Sequence, residues 1–307
     1  MTGQAVHPLM TDHVRFVTNE MVRVLRLCLD RVRARRSAVI FEGCSRVGKS
    51  NCSLFVTETL ASKFPEAHVT RCVARTRANT RMSLLLNEIC FAEEALPKGA
   101  RVDLLFHLVG CIESHLAQYV DKQHVLVIDE IQRLSSLDFY QLADLHNYLQ
   151  SVDIKLTVIG FSQSEIYDKR SSFKAVEQHQ IVARFLSEII PIYGCRNVSD
   201  VSTVLRACDE GSEFPVGSHI SYTAYFLPKA FANGFRLATL ADVFWRLFAE
   251  SVSGRYVNNL PMEHLRESIA NYMVHAQAHD GVLLDINEDD VRNAVHNTNI
   301  RTFCDAV

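Results

Sequence analysis

Apolar and polar positions alternate in two different rhythms along this chain. Short β-branched runs at 37–42, 68–73, 125–128, 154–161 and 188–193 read as strands. Between them, apolar residues at helical spacing predict helices over 12–36, 51–64, 82–94, 102–120 and 138–152, with a further segment at 181–185. Strands alternating with helices imply a parallel sheet with helices on both faces, because parallel strands need long crossover connections. Beyond about residue 197 the strand rhythm stops. Amphipathic segments near 198–208, 221–232, 239–251, 262–278 and 288–296 predict a helical appendage. The expected organisation is therefore an α/β domain over 1–196, N-terminal helix included, followed by a helical lid and C-terminal segment over 197–307.

The first strand runs directly into Gly43-Cys44-Ser45-Arg46-Val47-Gly48-Lys49-Ser50, which reads G-x-x-x-x-G-K-S, and a helix follows from Asn51. Strand, glycine-bounded loop and helix in that order make a phosphate-binding loop. Its backbone N–H groups and the helix N-terminus favour an anion. Lys49 is placed to reach β- and γ-phosphates, and the Ser50 hydroxyl to ligate magnesium. A second element supports this reading. The apolar strand at 125–128 ends in Asp129-Glu130, 80 residues after Lys49. Asp129 suits the oxygen-rich shell of Mg²⁺, and Glu130 is placed to polarise an attacking water. The expected cofactors are ATP and Mg²⁺.

Bulk properties add limits more than content. With 307 residues the chain is long enough for a nucleotide-binding domain plus an appendage, and its net charge of −3 selects no partner. Nine cysteines are scattered without a C-x-x-C pair, which suits a reducing compartment. No stretch approaches the ~18 uninterrupted apolar residues of a membrane span, and the N-terminus has no apolar signal core, so a cytoplasmic protein is expected. The first helix carries Arg15, Arg23, Arg26, Arg31, Arg33, Arg35 and Arg36 on its polar side, either a solvated face or a contact for an acidic partner.

The order of these motifs resembles that of the AAA+ ATPases. After the Asp-Glu strand comes another strand, Thr157-Val-Ile-Gly-Phe161, ending in Ser162-Gln163-Ser164; then Ala183-Arg184-Phe185; then Gly234-Phe-Arg236-Leu. The resemblance implies that Gln163 senses the γ-phosphate, although many members carry Asn or Thr there. It implies that Arg184 reaches a neighbouring subunit's nucleotide, a role suited to a permanently charged planar fork. It also implies that Arg236 senses nucleotide in cis. Among AAA+ proteins the compact layout is most similar to the TnsC/TniB-type ATP-binding proteins of DNA transposons. That similarity implies an ATP-dependent homo-oligomer, ring or helical filament, on duplex target DNA. A transposase and a target-selection protein would be its partners, and hydrolysis would drive disassembly. The DNA contacts would be to phosphates, and Arg71, Arg75, Arg77, Arg81 and Lys98, with Arg101 nearby, are the candidates. Two other readings stay open: a signalling or defence ATPase switch, and a DnaC-like helicase loader preferring single strands.

Overall fold

A computed structural model describes residues 6–11, 14–76, 84–96, 103–282 and 287–307. It divides into two compact units, one of Arg23–Gly43 and Lys49–Ile192, the other of the described residues in Met1–Val22, Cys44–Gly48 and Tyr193–Val307.

The element order through the first part is α1 (Asn19–Arg33), β1 (Ala38–Glu42), α2 (Lys49–Lys63), β2 (Ala67–Val73), α3 (Leu85–Ala92), α4 (Leu104–Leu116), β3 (Gln123–Asp129), α5 (Ser136–Ser151), β4 (Lys155–Ser162), α6 (Glu165–Ala175), α7 (His179–Phe185) and β5 (Ile189–Pro191). The five strands form one sheet in the order β2-β3-β4-β1-β5, and every pairing is parallel. This is the expected α/β fold. β3 is buried at every position, which is why it reads as a continuous apolar run. Its side chains still alternate. Leu126 and Ile128 enter a cluster with residues of α3, α4 and α5, so Val125, Val127 and Asp129 belong to the opposite face.

Local chemistry sets the helix boundaries. The first helix begins later than the spacing predicts: Thr18 Oγ1 accepts from the Met21 N–H at 3.2 Å, while Val14 and Phe16 before it are buried outside any helix or strand. Asp103 caps α4 by accepting from the N–H groups of Leu105 and Phe106. Ser135 and Asp138 form a capping box on α5. The same buried Asp138 also accepts from the N–H groups of Leu84 and Leu85, at 2.7 and 3.0 Å, and so secures the start of α3.

The other unit is helical: α8 (Val198–Asp209), α9 (Tyr222–Phe226), α10 (Pro228–Ala232), α11 (Ala241–Ser251), α12 (Met262–Gln277), α13 (Glu288–His296) and α14 (Ile300–Ala306). The segment expected as one helix over 221–232 is two, because Pro228 disfavours helical backbone at Leu227, which sits at φ −127°, ψ 60°. Asp209 organises this unit from within. Its carboxylate accepts from Thr223 Oγ1, Leu237 N and Ala238 N at 2.7, 2.8 and 2.9 Å. Helices α6 and α14 were not anticipated. Among the described residues no helix is long and apolar enough to cross a membrane, and all nine cysteines are free thiols.

Candidate nucleotide-binding site

β1 delivers the chain to Gly43 at the edge of the loop. A Cβ on Gly43 would lie 2.4 Å from the Ile192 carbonyl oxygen, so the close approach of these two backbone segments admits only glycine. Gly48 closes the loop at φ +97°, in the region that side chains rarely adopt. Lys49 then opens α2. Its side chain is nearly fully buried, and Nζ donates to the Gly43 carbonyl at 2.9 Å. The ammonium is thereby held at Gly43, while Ser50, next in the chain, is exposed.

Within the helical unit, Cys44–Gly48 is held by several contacts. The Tyr256 hydroxyl donates to the Ser45 carbonyl at 3.4 Å, and Asn259 Nδ2 lies 3.6 Å from Cys44 Sγ. The Arg46 guanidinium pairs with Glu263 at 3.2 Å and lies 4.7 Å from the Phe303 ring centroid. Val47 is buried. The side chains of Cys44, Arg46 and Val47 thus anchor the loop, and it is the backbone that remains for phosphate. Nothing local in the sequence ties Tyr256, Asn259, Glu263 and Phe303 to a loop more than 200 residues upstream, and they were not anticipated.

Asp129 ends β3 with its carboxylate nearly inaccessible. Arg71 of β2 donates from Nη2 to Asp129 Oδ2 at 2.9 Å and from Nε to Ser53 Oγ of α2 at 2.8 Å. Arg71 was expected at a DNA surface; its guanidinium is instead committed to the acidic residue of the nucleotide site. The reason is strand alternation. Residue 71 shares the face of Asp129 and α2, not the outer edge. That signal was present in the sequence, as an arginine inside a run that reads as a strand.

Glu130 adopts left-handed backbone, φ 58°, ψ 36°, as the chain leaves β3 for the 3₁₀ turn Ile131–Arg133. Such a conformation in a non-glycine residue costs about 1–3 kcal/mol and marks sites where position outranks local stability. Here it turns the Glu130 side chain away from the direction of Asp129. Glu130 Oε2 accepts from Gln132 Nε2 at 2.9 Å, pairs with Arg133 Nε at 3.0 Å and lies 3.5 Å from Gln163 Nε2. Gln163 therefore stands beside Glu130. Gln132 and Arg133 were not anticipated as its neighbours.

The remaining candidates lie apart. Arg184, at the end of α7, is half-buried and donates to the exposed Asn147 Oδ1 at 2.7 Å. Arg236 was expected to face nucleotide. Its guanidinium folds back on its own turn, donating to the carbonyls of Phe231 and Phe235 at 3.0 and 2.6 Å and lying 3.8 Å from the Phe231 ring centroid. Two carbonyls and an aromatic face satisfy the cation there. Arg75 is largely exposed, 3.6 Å from Glu88. Arg77, Arg81, Lys98 and Arg101 lie outside the described residues. On the first helix, Arg23 donates to the Pro191 carbonyl and Arg31 makes a bidentate pair with Glu188, and just beyond it Arg35 pairs with Asp121, so these basic residues serve the fold.

Loop glycines, buried lysine, open serine and an adjacent Asp-Glu strand end together match what a triphosphate with magnesium requires. Residues 32–168 match the family described as AAA domain. The chain matches it over less than half of its length. Its fold is that of the AAA+ P-loop ATPases. The chain is similar in structure to the Aeropyrum pernix ORC2 protein. In its ADPNP–ADP complexes the TM-score is 0.60 at 13% identity, over 95% of this chain and 71% of that one. In its ADP form the TM-score is 0.55 at 16% identity, over 93% and 70%. No curated protein matches the chain in sequence. The donor set fits Mg²⁺–ATP: Lys49 and Ser50 would meet the phosphates and the metal, and Asp129, with Oδ2 held by Arg71, would meet it through Oδ1 or a bridging water.

Proposed function

We propose that this AAA domain binds and hydrolyses ATP, and that the chain is a cytoplasmic, DNA-bound, self-assembling regulator of DNA transposition. One observation carries the ATPase reading. The C-terminal ends of three neighbouring strands, β1, β4 and β3, present Gly43, Gln163 and Asp129-Glu130 side by side, with Gly43 N–H donating to the Ser162 carbonyl at 3.0 Å. Open α/β sheets bind ligands at this end of their strands. Magnesium there would offset charge on the phosphate oxygens. Glu130 accepts the proton of the attacking water once Arg133 and Gln132 release it, and Gln163 orients the same water or the terminal phosphate.

Assembly rests on Arg184. A half-buried guanidinium whose hydrogen-bond partner is the neutral side-chain amide of the exposed Asn147 is inexpensive to redirect. Arg184→Ala is expected to leave nucleotide binding by the monomer intact, while lowering hydrolysis and ATP-dependent assembly. Mixing Arg184→Ala with Glu130→Gln should recover part of the activity, because a mixed interface can combine an intact Glu130 with an intact Arg184. No recovery, with a protein that stays monomeric in ATP by light scattering, would remove the role in trans.

The transposition reading rests on the order and spacing of the motifs, and duplex DNA is its test. Arg75 is the described member of the basic set left open to phosphates. In the presence of ATP, binding to duplex DNA is expected to be tolerant of sequence and to weaken steeply with salt, through counterion release. Replacing Arg75, Arg77 and Arg81 with alanine should weaken it about equally on all sequences and flatten the salt slope by roughly one unit for each phosphate no longer neutralised. Preference for single strands would favour a helicase loader. Indifference to DNA at low salt would favour a signalling switch.

A further inference from the structure

On the sheet face opposite Asp129, two histidines stand side by side. β2 and β3 run parallel with His68 in register with His124, so both imidazoles leave the same side of the sheet. Their ring centroids are 5.3 Å apart with planes at 24°. Glu93, the residue capping the C-terminus of α3, covers them. Its two carboxylate oxygens lie 2.9 and 2.8 Å from His68 Nε2, and Thr70 Oγ1 donates to the same carboxylate. From α4, His115 stacks on His68 at 4.4 Å.

An ion pair between His68 and Glu93 explains two of these side chains but not the third. His124 is fully buried, and neither of its ring nitrogens has a hydrogen-bond partner. One ligand atom from each of His68, Glu93 and His124 lies within 4.8 Å of the other two, and among the described residues no other three His, Cys, Asp or Glu side chains converge in this way. We propose that His68, Glu93 and His124 bind a divalent transition metal of the zinc class. Two imidazole nitrogens and one carboxylate oxygen suit zinc at about 2.0–2.2 Å, with a fourth position for water. At those bond lengths ligand atoms are about 3.3 Å apart, so the group closes by an ångström or so. The exposed His115 side is the entry path.

The site would tie β2, β3 and the end of α3 together. It is separate from the nucleotide site, since His124 and Asp129 are five residues apart on β3, roughly 16 Å along the strand, and face opposite sides.

The test uses the full chain with any affinity tag removed, equilibrated with zinc and then dialysed against metal-free buffer. Elemental analysis is expected to find one zinc per chain, and Co²⁺ in its place should give intense visible absorption without a thiolate charge-transfer band. His124→Leu and Glu93→Gln should each lower the retained zinc at least tenfold, with ATP affinity unchanged as the check on folding. Glu93→Gln keeps the shape of the site and decides the matter if His124→Leu does not fold. Negligible zinc in the wild type, a full equivalent retained by a folded variant, or a thiolate band would each overturn the proposal.

Discussion

Glu130→Gln is expected to bind ATP with near-native affinity and to turn it over at least ~10²-fold more slowly, the usual loss when a positioned general base is removed. The substitution isolates the proton-accepting role because everything else about the position is kept. Glutamine has the same volume and no β-branch, so the left-handed backbone at φ 58° costs it no more than it costs glutamate. Its amide oxygen can still accept from Gln132 and Gln163. What disappears is the negative charge opposite Arg133, and that arginine is about half exposed, where an ion pair contributes little. A fall in kcat without a matching change in nucleotide Kd, measured by phosphate release and by titration with a fluorescent ATP analogue, is the expected pattern. Assemblies that need ATP should persist longer in this variant. Unchanged turnover would show that Glu130 activates no water.

Lys49→Ala is expected to raise the Kd for ATP at least ~10²-fold, which corresponds to about 3 kcal/mol. Lys49 is nearly buried, so the charge it brings to a phosphate is poorly screened, and a hydrogen bond to a charged group contributes about 1.5–3 kcal/mol before the uncompensated phosphate charge is counted. In the free protein Nζ donates to the Gly43 carbonyl. Losing that bond loosens the loop only modestly, because Cys44–Gly48 is also held through Tyr256, Asn259 and Glu263. Thermal stability without nucleotide should therefore change little, and the stabilisation that ATP confers should vanish. Micromolar ATP affinity in a folded Lys49→Ala protein, by calorimetry, would remove the phosphate-binding role from this loop.

Much of the nucleotide site is legible in the amino-acid sequence. The glycine spacing at 43–48 is dictated by backbone sterics: Gly43 faces a carbonyl at 2.4 Å from where a Cβ would stand, and Gly48 has a positive φ. Requirements of that kind are local and leave a fixed pattern in the sequence. The buried strands ending at Glu42, Asp129 and Ser162 are legible for a similar reason, since a strand covered on both faces must be apolar throughout. Helix α6 was missed because only Ile166 and Phe173 of its residues are buried, too few to give a helical rhythm.

By itself, then, the sequence determined the glycine-bounded loop between strand and helix, the acidic strand end, the parallel α/β core and the helical C-terminal part, because each follows from short-range sterics or from burial periodicity. Tertiary structure decided which side chains meet. Strand register put Arg71 onto Asp129 and His68 beside His124. The order of β3, β4 and β1 in the sheet brought Gln163 to Glu130. Packing within the helical unit set Glu263 and Phe303 on Arg46, and the turn before α11 folded Arg236 back on Phe231. Such pairings depend on residues far apart in the chain, and a one-residue change of register would send each side chain to the other face of the sheet. The physical reason is that period and backbone strain act within a few residues, whereas a shared site is built by the register of strands that sequence spacing leaves free.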